Sequence, residues 1–316
     1  MHAFYCDQFV LPLPEGHRFP MAKYALLREA VAKHLPQVRL TSPPSVTLEQ
    51  LCSAHDEAYV HAVLNNTLAP AVQKAIGFPW SEGMVERSRR SAGATLAAAR
   101  LALAGEGVAV NLAGGTHHAM RHTAAGFCVF NDAAITAKTL SAEHHQVTGQ
   151  PLRVAVIDLD VHQGDGTAQI CAGDPHIFTL SVHGERNFPT LKQRSNLDIG
   201  LPDGCQDAEY LTAMRVGLSA VAQFSPQLVI YLAGADPHEG DRLGRLKLTE
   251  AGLAQRDATV LNWCALHSVP LAIAMAGGYN HDIATTVRIH LSTVTQAARF
   301  WGSWQGEGWQ AVMSAA

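Results

Sequence analysis

The segment RVAVIDLDVHQGDG, residues 153–166, decides how this chain is read. Its first half is an apolar run rich in valine and isoleucine, without polar/apolar alternation. A strand of that kind has both faces covered, as in a parallel sheet flanked by helices. Its second half changes character at once. Asp158, Asp160 and His162 stand at i, i+2 and i+4, so an extended backbone turns all three to one side. Two acids and an imidazole sharing one face at the end of a buried strand repel one another and lose hydration unless a cation joins them. The plainer reading of the two acids alone is that they cap the helix that follows.

Outward from this segment, seven strand candidates appear: residues 2–6, 38–41, 107–112, 153–158, 176–181, 227–233 and 269–276. Helical patterns at 21–35, 47–54, 82–104, 131–144, 207–224, 249–267 and 281–301 separate most of them, and Thr47 with Gln50 three residues on has the form of a capping box. The expectation is an α/β fold: a single open parallel sheet of about eight strands with helices on both faces. One catalytic domain spans 1–301, and a glycine-containing tail, 302–316, is expected to be poorly ordered.

Ligands of such sheets sit outside the carboxyl ends of the strands. The chemistry of this chain gathers there. The run 107–112 leads into His117 and His118 after a Gly-Gly turn; 153–158 into Asp158, Asp160, His162 and Asp165; 176–181 into His183; 227–233 into Asp236; and 269–276 into Tyr279 after a second Gly-Gly. Asp160, His162 and Asp236 would supply three ligands and leave a position open, as a catalytic zinc requires. The same donor set also suits iron(II). A tyrosine hydroxyl at a glycine turn can donate to a developing oxyanion. His144 and His145, at a polar helix end, read as no more than a cap.

Composition bounds the rest. The chain has 316 residues, 47% hydrophobic and 16% charged, with a net charge of −4. It offers no basic stripe to displace counterions from nucleic acid. Arg87, Arg89 and Arg90 read as a solvated helix face. The six cysteines form no C-x-x-C pair and read as buried free thiols of a reducing compartment. The first residues lack a basic signal-peptide region, and no apolar run approaches the roughly 18 residues of a membrane span. A soluble cytoplasmic protein with neither nucleic-acid nor membrane partner is expected. Seventeen histidines are many for this length, and histidine is the commonest metal ligand.

AGGTHHA (113–119), GFCVFND (126–132), DLDVHQGDG (158–166), TLSVH (179–183), GADP (234–237) and AGGYN (276–280) occur here in the order and spacing of histone deacetylases and their bacterial relatives. The chain resembles that superfamily from about residue 2 to residue 301. GHRFPMAKY (16–24), SNLDIGLPDGCQDAEYL (195–211) and EGDRLGRLKLT (239–249) resemble its class IV branch. The resemblance implies the arginase-deacetylase fold and removal of acyl groups from acylated lysine, in protein or peptide, or from a small acylated amine. It implies Asp160, His162 and Asp236 as zinc ligands. His118 matches the general base that later returns its proton to the leaving amine, and His117 its electrostatic partner. Asp158 and Asp165 match the carboxylates that orient His117 and His118. Tyr279 matches the tyrosine polarising the scissile carbonyl. Phe127 and Phe188 match the walls of the acyl-lysine tunnel, and Arg18 an arginine of an internal acetate-release channel. Asp158, Asp160, His162, Ser181 and Val182 match a structural potassium site.

Two departures bear on substrate. The rim stretch IGFPWSEG (76–83) offers Phe78 and Trp80 but no acid before Glu82 to grip a peptide backbone, and Leu243 stands where polyamine-selective relatives carry a glutamate. His238 and Glu239 receive no role. A dimanganese ureohydrolase of the arginase type is the rival enzyme reading; it needs further aspartates in D-A-H-x-D and S-x-D-x-D patterns. A scaffold that keeps the pocket without turnover is the non-enzyme reading, which the presence of His118, Tyr279 and all three ligands disfavours.

Overall fold

The computed structural model describes residues 1–9, 11, 13–14 and 16–305. Eight strands, β1 (His2–Phe4), β2 (Arg39–Thr41), β3 (Val108–Asn111), β4 (Val154–Asp158), β5 (Ile177–Gly184), β6 (Leu197–Leu201), β7 (Leu228–Leu232) and β8 (Leu271–Ala274), form one sheet. Every pairing is parallel, in the order β2-β1-β3-β8-β7-β4-β5-β6. All carboxyl ends therefore lie along one edge. The order also places β3, β8, β7 and β4 side by side, so loops far apart in sequence open next to one another.

The unbroken apolar runs have the expected cause. Val154 and Val156 of β4 face one core with Leu228, Ile230, Ala272 and Ala274, while Ala155 and Ile157 face a second core with Val229, Tyr231, Leu271 and Ile273. Helices α2 (Leu48–Ala54), α3 (Glu57–Leu64), α5 (Glu82–Leu101) and α6 (Asp132–Thr148) contribute to the first core. Helices α1 (Ala22–His34), α8 (Asp207–Phe224), α9 (Glu250–Leu266) and α10 (Ile283–Trp304) close the second. With both faces covered, polar alternation has no place in the central strands.

Several elements differ from the sequence reading. The eighth strand, β6, is a partly exposed edge carrying Asp198 and Gly200, so it lacks the apolar signature of its neighbours. Short helices α3, α4 (Pro70–Ile76) and α7 (Asp165–Cys171) were not expected, having only about two turns each to show periodicity. The Thr47–Gln50 capping box forms as read. Helix α10 continues past residue 301 to a buried Trp304; residues 306–316 of the expected tail lie outside the described residues.

The basic cluster is a correction. Arg87 is buried, donates to the Cys6 carbonyl and lies over the Tyr24 ring, while Arg89 donates to Val46 O and Arg90 to Pro43 O and Glu86. The three guanidiniums tie α5 to the preceding segments rather than forming a solvated face. All six cysteines are unpaired; five are buried and Cys52 is partly so. Among the described residues no helix is long and apolar enough to cross a membrane.

Candidate metal centre

Four adjacent strands deliver their chemistry to one place. Beyond β4 the chain presents Asp160 and His162, and beyond β7 Asp236. One ligand atom from each lies within 4.8 Å of the other two, and all three residues are buried. His162 Nδ1 is 3.0 Å from Asp160 Oδ1 and 3.4 Å from Asp236 Oδ2. Backbone N–H groups hold the carboxylates: His162 N and Gly277 N donate to Asp160, and Val161 N to Asp236.

The cluster's charge balance calls for a cation. Burial alone would depress His162, but Asp160 and Asp236 outweigh it and push its imidazole up to about 10. Burial and then the Asp160 charge raise Asp236 to about 7. Burial disfavours charge on Asp160 as well, yet His117 and His162 hold it well below the usual carboxylate range. The protein alone thus gathers protons here, and a divalent ion replaces them with fewer conflicts. Asp236 Oδ2 is buried with no hydrogen-bond partner. A Cβ on Gly277 would stand 1.9 Å from that oxygen and 2.6 Å from Asp160 Oδ2, so glycine keeps this face open. Two carboxylates and one imidazole with an unsatisfied, shielded oxygen fit a small divalent metal. Among the described residues this is the one group of its kind, which suits a single ion rather than a bridged pair.

The paired histidines stand next to it. His117 Nδ1 lies 2.7 Å from Asp158 Oδ2, and His118 Nδ1 lies 2.6 Å from Asp165 Oδ1. Their Nε2 atoms are 3.2 Å apart. The loop carrying them is anchored by Asp132, which accepts from Gly115 N and Thr116 N, and by Asn131, which donates to the Ala119 carbonyl. Gly126, with φ +60°, passes so close to His118 that a Cβ would meet its Cδ2 at 2.6 Å. Phe127 follows with φ +64°, an unusual conformation for an aromatic residue, and turns toward the cavity.

The cavity has a volume of about 560 Å³ and reaches His117, His118, Asp160, His162 and Tyr279. Phe127 packs at a tilt against Phe19, Phe78 and Tyr279 along one wall, ring centres 5.1, 5.4 and 6.0 Å away. Phe188 stands edge-on to His118 at 4.8 Å and is 45% exposed, so it flanks an open mouth. Leu243 also lines it. Asp241 accepts from Tyr279 N at 2.6 Å and from Leu243 N at 2.8 Å, fixing the tyrosine and the rim together. Ser181 is paired in register with Asp158 and bonds His183. Phe78 is buried in the aromatic wall, and Trp80 donates to Val63 O. His238 Nδ1 lies 2.8 Å from Asn280 Oδ1 and 3.0 Å from Gly240 N.

Arg18 is a correction: it is exposed on the outer cavity wall, not inside a channel. Among the described lysines and arginines lining the cavity the buried one is Lys23, whose Nζ lies 3.4 Å from both the Ala276 and Gly278 carbonyls and 5.2 Å from the Tyr279 ring centre. Sequence reading missed Lys23, Asp241 and Asn131, because each acts through a backbone group that only the fold brings near. The signal for Lys23 was weak: one lysine at an otherwise apolar helical position.

A histone deacetylase domain model matches residues 17–294. The chain belongs to the histone deacetylase family. It is 43% identical over 298 residues to an uncharacterized protein of Picosynechococcus sp., covering 93% of this chain and 97% of that one. It is 29% identical to histone deacetylase 8 of Xenopus tropicalis, over 78% of this chain and 70% of the relative. Its fold is that of an acetylpolyamine aminohydrolase from Burkholderia pseudomallei: TM-score 0.74 at 19% identity, covering 97% of this chain and 100% of the other. The single eight-stranded parallel sheet is therefore the arginase-deacetylase fold. Membership makes the chain an expected hydrolase of acylated amines.

Proposed function

We propose that this deacetylase-family chain is a zinc-dependent amidohydrolase that removes acetyl or other acyl groups from acylated lysine or a related amine. Iron(II) fits the same donors. Asp160, His162 and Asp236 would hold the ion, which when bound supplies a Lewis acid and makes water acidic enough to be a nucleophile near neutrality. His118 takes the proton of the attacking water at Nε2, its Nδ1–H being donated to Asp165, and then returns that proton to the leaving amine. His117, held charged by Asp158, offsets negative charge beside it. The Tyr279 hydroxyl donates to the carbonyl oxygen as charge grows there. Phe127 and Phe188 flank the apolar stem of the substrate, with Leu243 at the mouth. Asp158, Asp160, His162, Ser181 and Val182 are proposed to hold a structural potassium ion.

One observation carries this reading: a two-carboxylate, one-imidazole cluster with a buried oxygen that lacks a hydrogen bond stands beside two carboxylate-oriented histidines at one cavity floor. The purified protein should hydrolyse a fluorogenic acyl-lysine, and a hydroxamate should abolish that turnover. A metal-loaded sample inert toward every acylated amine tried would refute it. Metal analysis separates the rival ureohydrolase, which needs about two manganese ions per chain against one zinc.

A further inference from the structure

Away from the catalytic floor, the charged side chains bordering the cavity share one sign. Arg18, Lys74, Arg186 and Arg245 all line it, and all four are exposed. They come from separate parts of the fold: the segment before α1, the last turn of α4, the loop after β5 and the loop between β7 and α9. Among the described lining residues the one acid is Asp160, buried at the bottom as a proposed metal ligand. Arg245 is paired with Asp203 at 3.0 Å. Arg18, Lys74 and Arg186 have no ion-pair partner among the described residues.

This concentration runs against the chain's net charge of −4. A single surface cation is fully hydrated and needs no partner. Three without a partner, beside the paired Arg245, converging on one cleft with apolar walls are different, because low-dielectric walls focus their field into the opening. A lysine-rich segment or a cationic polyamine would enter against that field. The apolar walls at Phe127 and Phe188 suit an uncharged acyl stem, so the charge preference falls on whatever the stem is attached to, outside the aromatic wall.

We infer that the mouth selects acylated amines that carry carboxylate groups next to the acylated stem. This rests on the deacylase reading and narrows its substrate class to anionic substrates. The carboxylates can belong to acidic residues flanking an acyl-lysine or to the free α-carboxylate of an acylated amino acid, and the test separates the two.

Nε-acetyl-lysine peptides of one length, flanked on both sides by Glu, Gln or Lys, are compared by kcat/KM. Nα-capped Nε-acetyl-lysine is compared as free acid and as carboxamide. The Glu peptide should exceed the Lys peptide by about tenfold or more at low salt, chiefly through KM, and the gap should close toward about 1 M salt. An advantage confined to the free acid assigns small acylated amino acids; one shared by the peptides assigns acidic protein segments. In the Lys74→Glu/Arg186→Glu variant the Glu-to-Lys ratio should reverse. That ratio is taken within one preparation, so a partly unfolded sample does not shift it. Equal rates across both series, or a preference for Lys-flanked peptides at low salt, overturn the inference and leave the deacylase standing. Hydrolysis of none of these substrates overturns the deacylase and this inference with it.

Discussion

The Nε2 atoms of His117 and His118 face each other 3.2 Å apart, while their Nδ1 atoms lean on different carboxylates. Two imidazoles so close disfavour a charge on both. Burial opposes charge on each. At His117 the Asp158 and Asp160 carboxylates outweigh burial and raise it to about 9. At His118 burial and the neighbouring His117 win over Asp165 and lower it to about 4. One proton therefore rests on His117, and His118 stays a free base at neutral pH. His118→Ala should lower kcat by about 10²–10⁴ with the metal retained. His117→Ala removes a charge rather than the base and should cost less. Kinetics with metal analysis check both. Loss of metal from His118→Ala would make it a ligand, and a heavier loss in His117→Ala would exchange the roles.

Tyr279 is held by its backbone on both sides, with N–H donated to Asp241 and the carbonyl accepting from Arg242 Nε at 2.9 Å. Burial, then the charges of Asp160 and Asp236, keep its hydroxyl well above the usual tyrosine range. It stays protonated through any working pH and can donate. Tyr279→Phe should reduce kcat by about 10²–10³, the scale of one oxyanion donor. Wild-type turnover in that variant would remove the tyrosine from the mechanism.

Gly277 tests the metal centre without a change to any of the three ligand residues. An added Cβ would meet Asp236 Oδ2 at 1.9 Å and Asp160 Oδ2 at 2.6 Å, and backbone N–H groups hold the Asp160 oxygen and the other oxygen of Asp236. Gly277→Ala should yield folded protein that purifies with far less metal than wild type. Circular dichroism and elemental analysis on one sample decide it. Full metal content would show that the ligand carboxylates lie elsewhere when loaded.

What the sequence made legible was whatever chain-local patterning controls. Strand β4 announced itself because burial on both faces forces an apolar run, and Asp160 and His162 followed it at strand spacing. Arg87 could not be read that way: its cost of burial is met by the Cys6 carbonyl and the Tyr24 ring, neither of which is near it in sequence. Arg18 and Lys23 lie five residues apart, and only the packing of α1 shows that Lys23 turns inward while Arg18 stays exposed. Strand β6 was lost because an edge strand needs no apolar faces.

His55 gives a pH-dependent prediction away from the metal. It is buried, its Nδ1–H donates to Met120 O at 2.8 Å, and its Nε2 accepts from Asn131 N at 2.9 Å, so it is neutral in the fold. Burial dominates and lowers it from 6.5 to about 4. The unfolded chain then binds the extra proton between these values, so this stability is present above pH 6.5 and is lost as pH falls toward 4. The full effect is about 3 kcal/mol. His55→Gln should therefore destabilise the protein at pH 7, and its deficit relative to wild type should narrow at pH 5. Comparing unfolding midpoints in one metal state isolates the effect. A deficit independent of pH would mean that His55 is not neutral in the fold.

Arg256 separates holding the fold from holding the metal. It is fully buried; Nη1 donates to Gly234 O at 2.5 Å and Leu159 O at 3.3 Å, and Nε pairs with Asp257 at 2.9 Å. Asp257 also accepts from Tyr231 and Thr293 hydroxyls. Leu159 immediately precedes Asp160, and Gly234 stands two residues before Asp236, so one guanidinium spans the two strand ends that carry carboxylate ligands. Arg256→Met should cost about 3–5 kcal/mol, much of it from stranding the Asp257 charge. Adding Asp257→Asn removes that stranded charge and keeps an acceptor for the hydroxyls, so part of the stability should return. Metal affinity should not, because the bridge between the two carbonyls is still missing. Unfolding of the metal-free protein reports the first quantity and chelator competition the second. If affinity recovers together with stability, the guanidinium supports the core alone and does not set the spacing of the ligands.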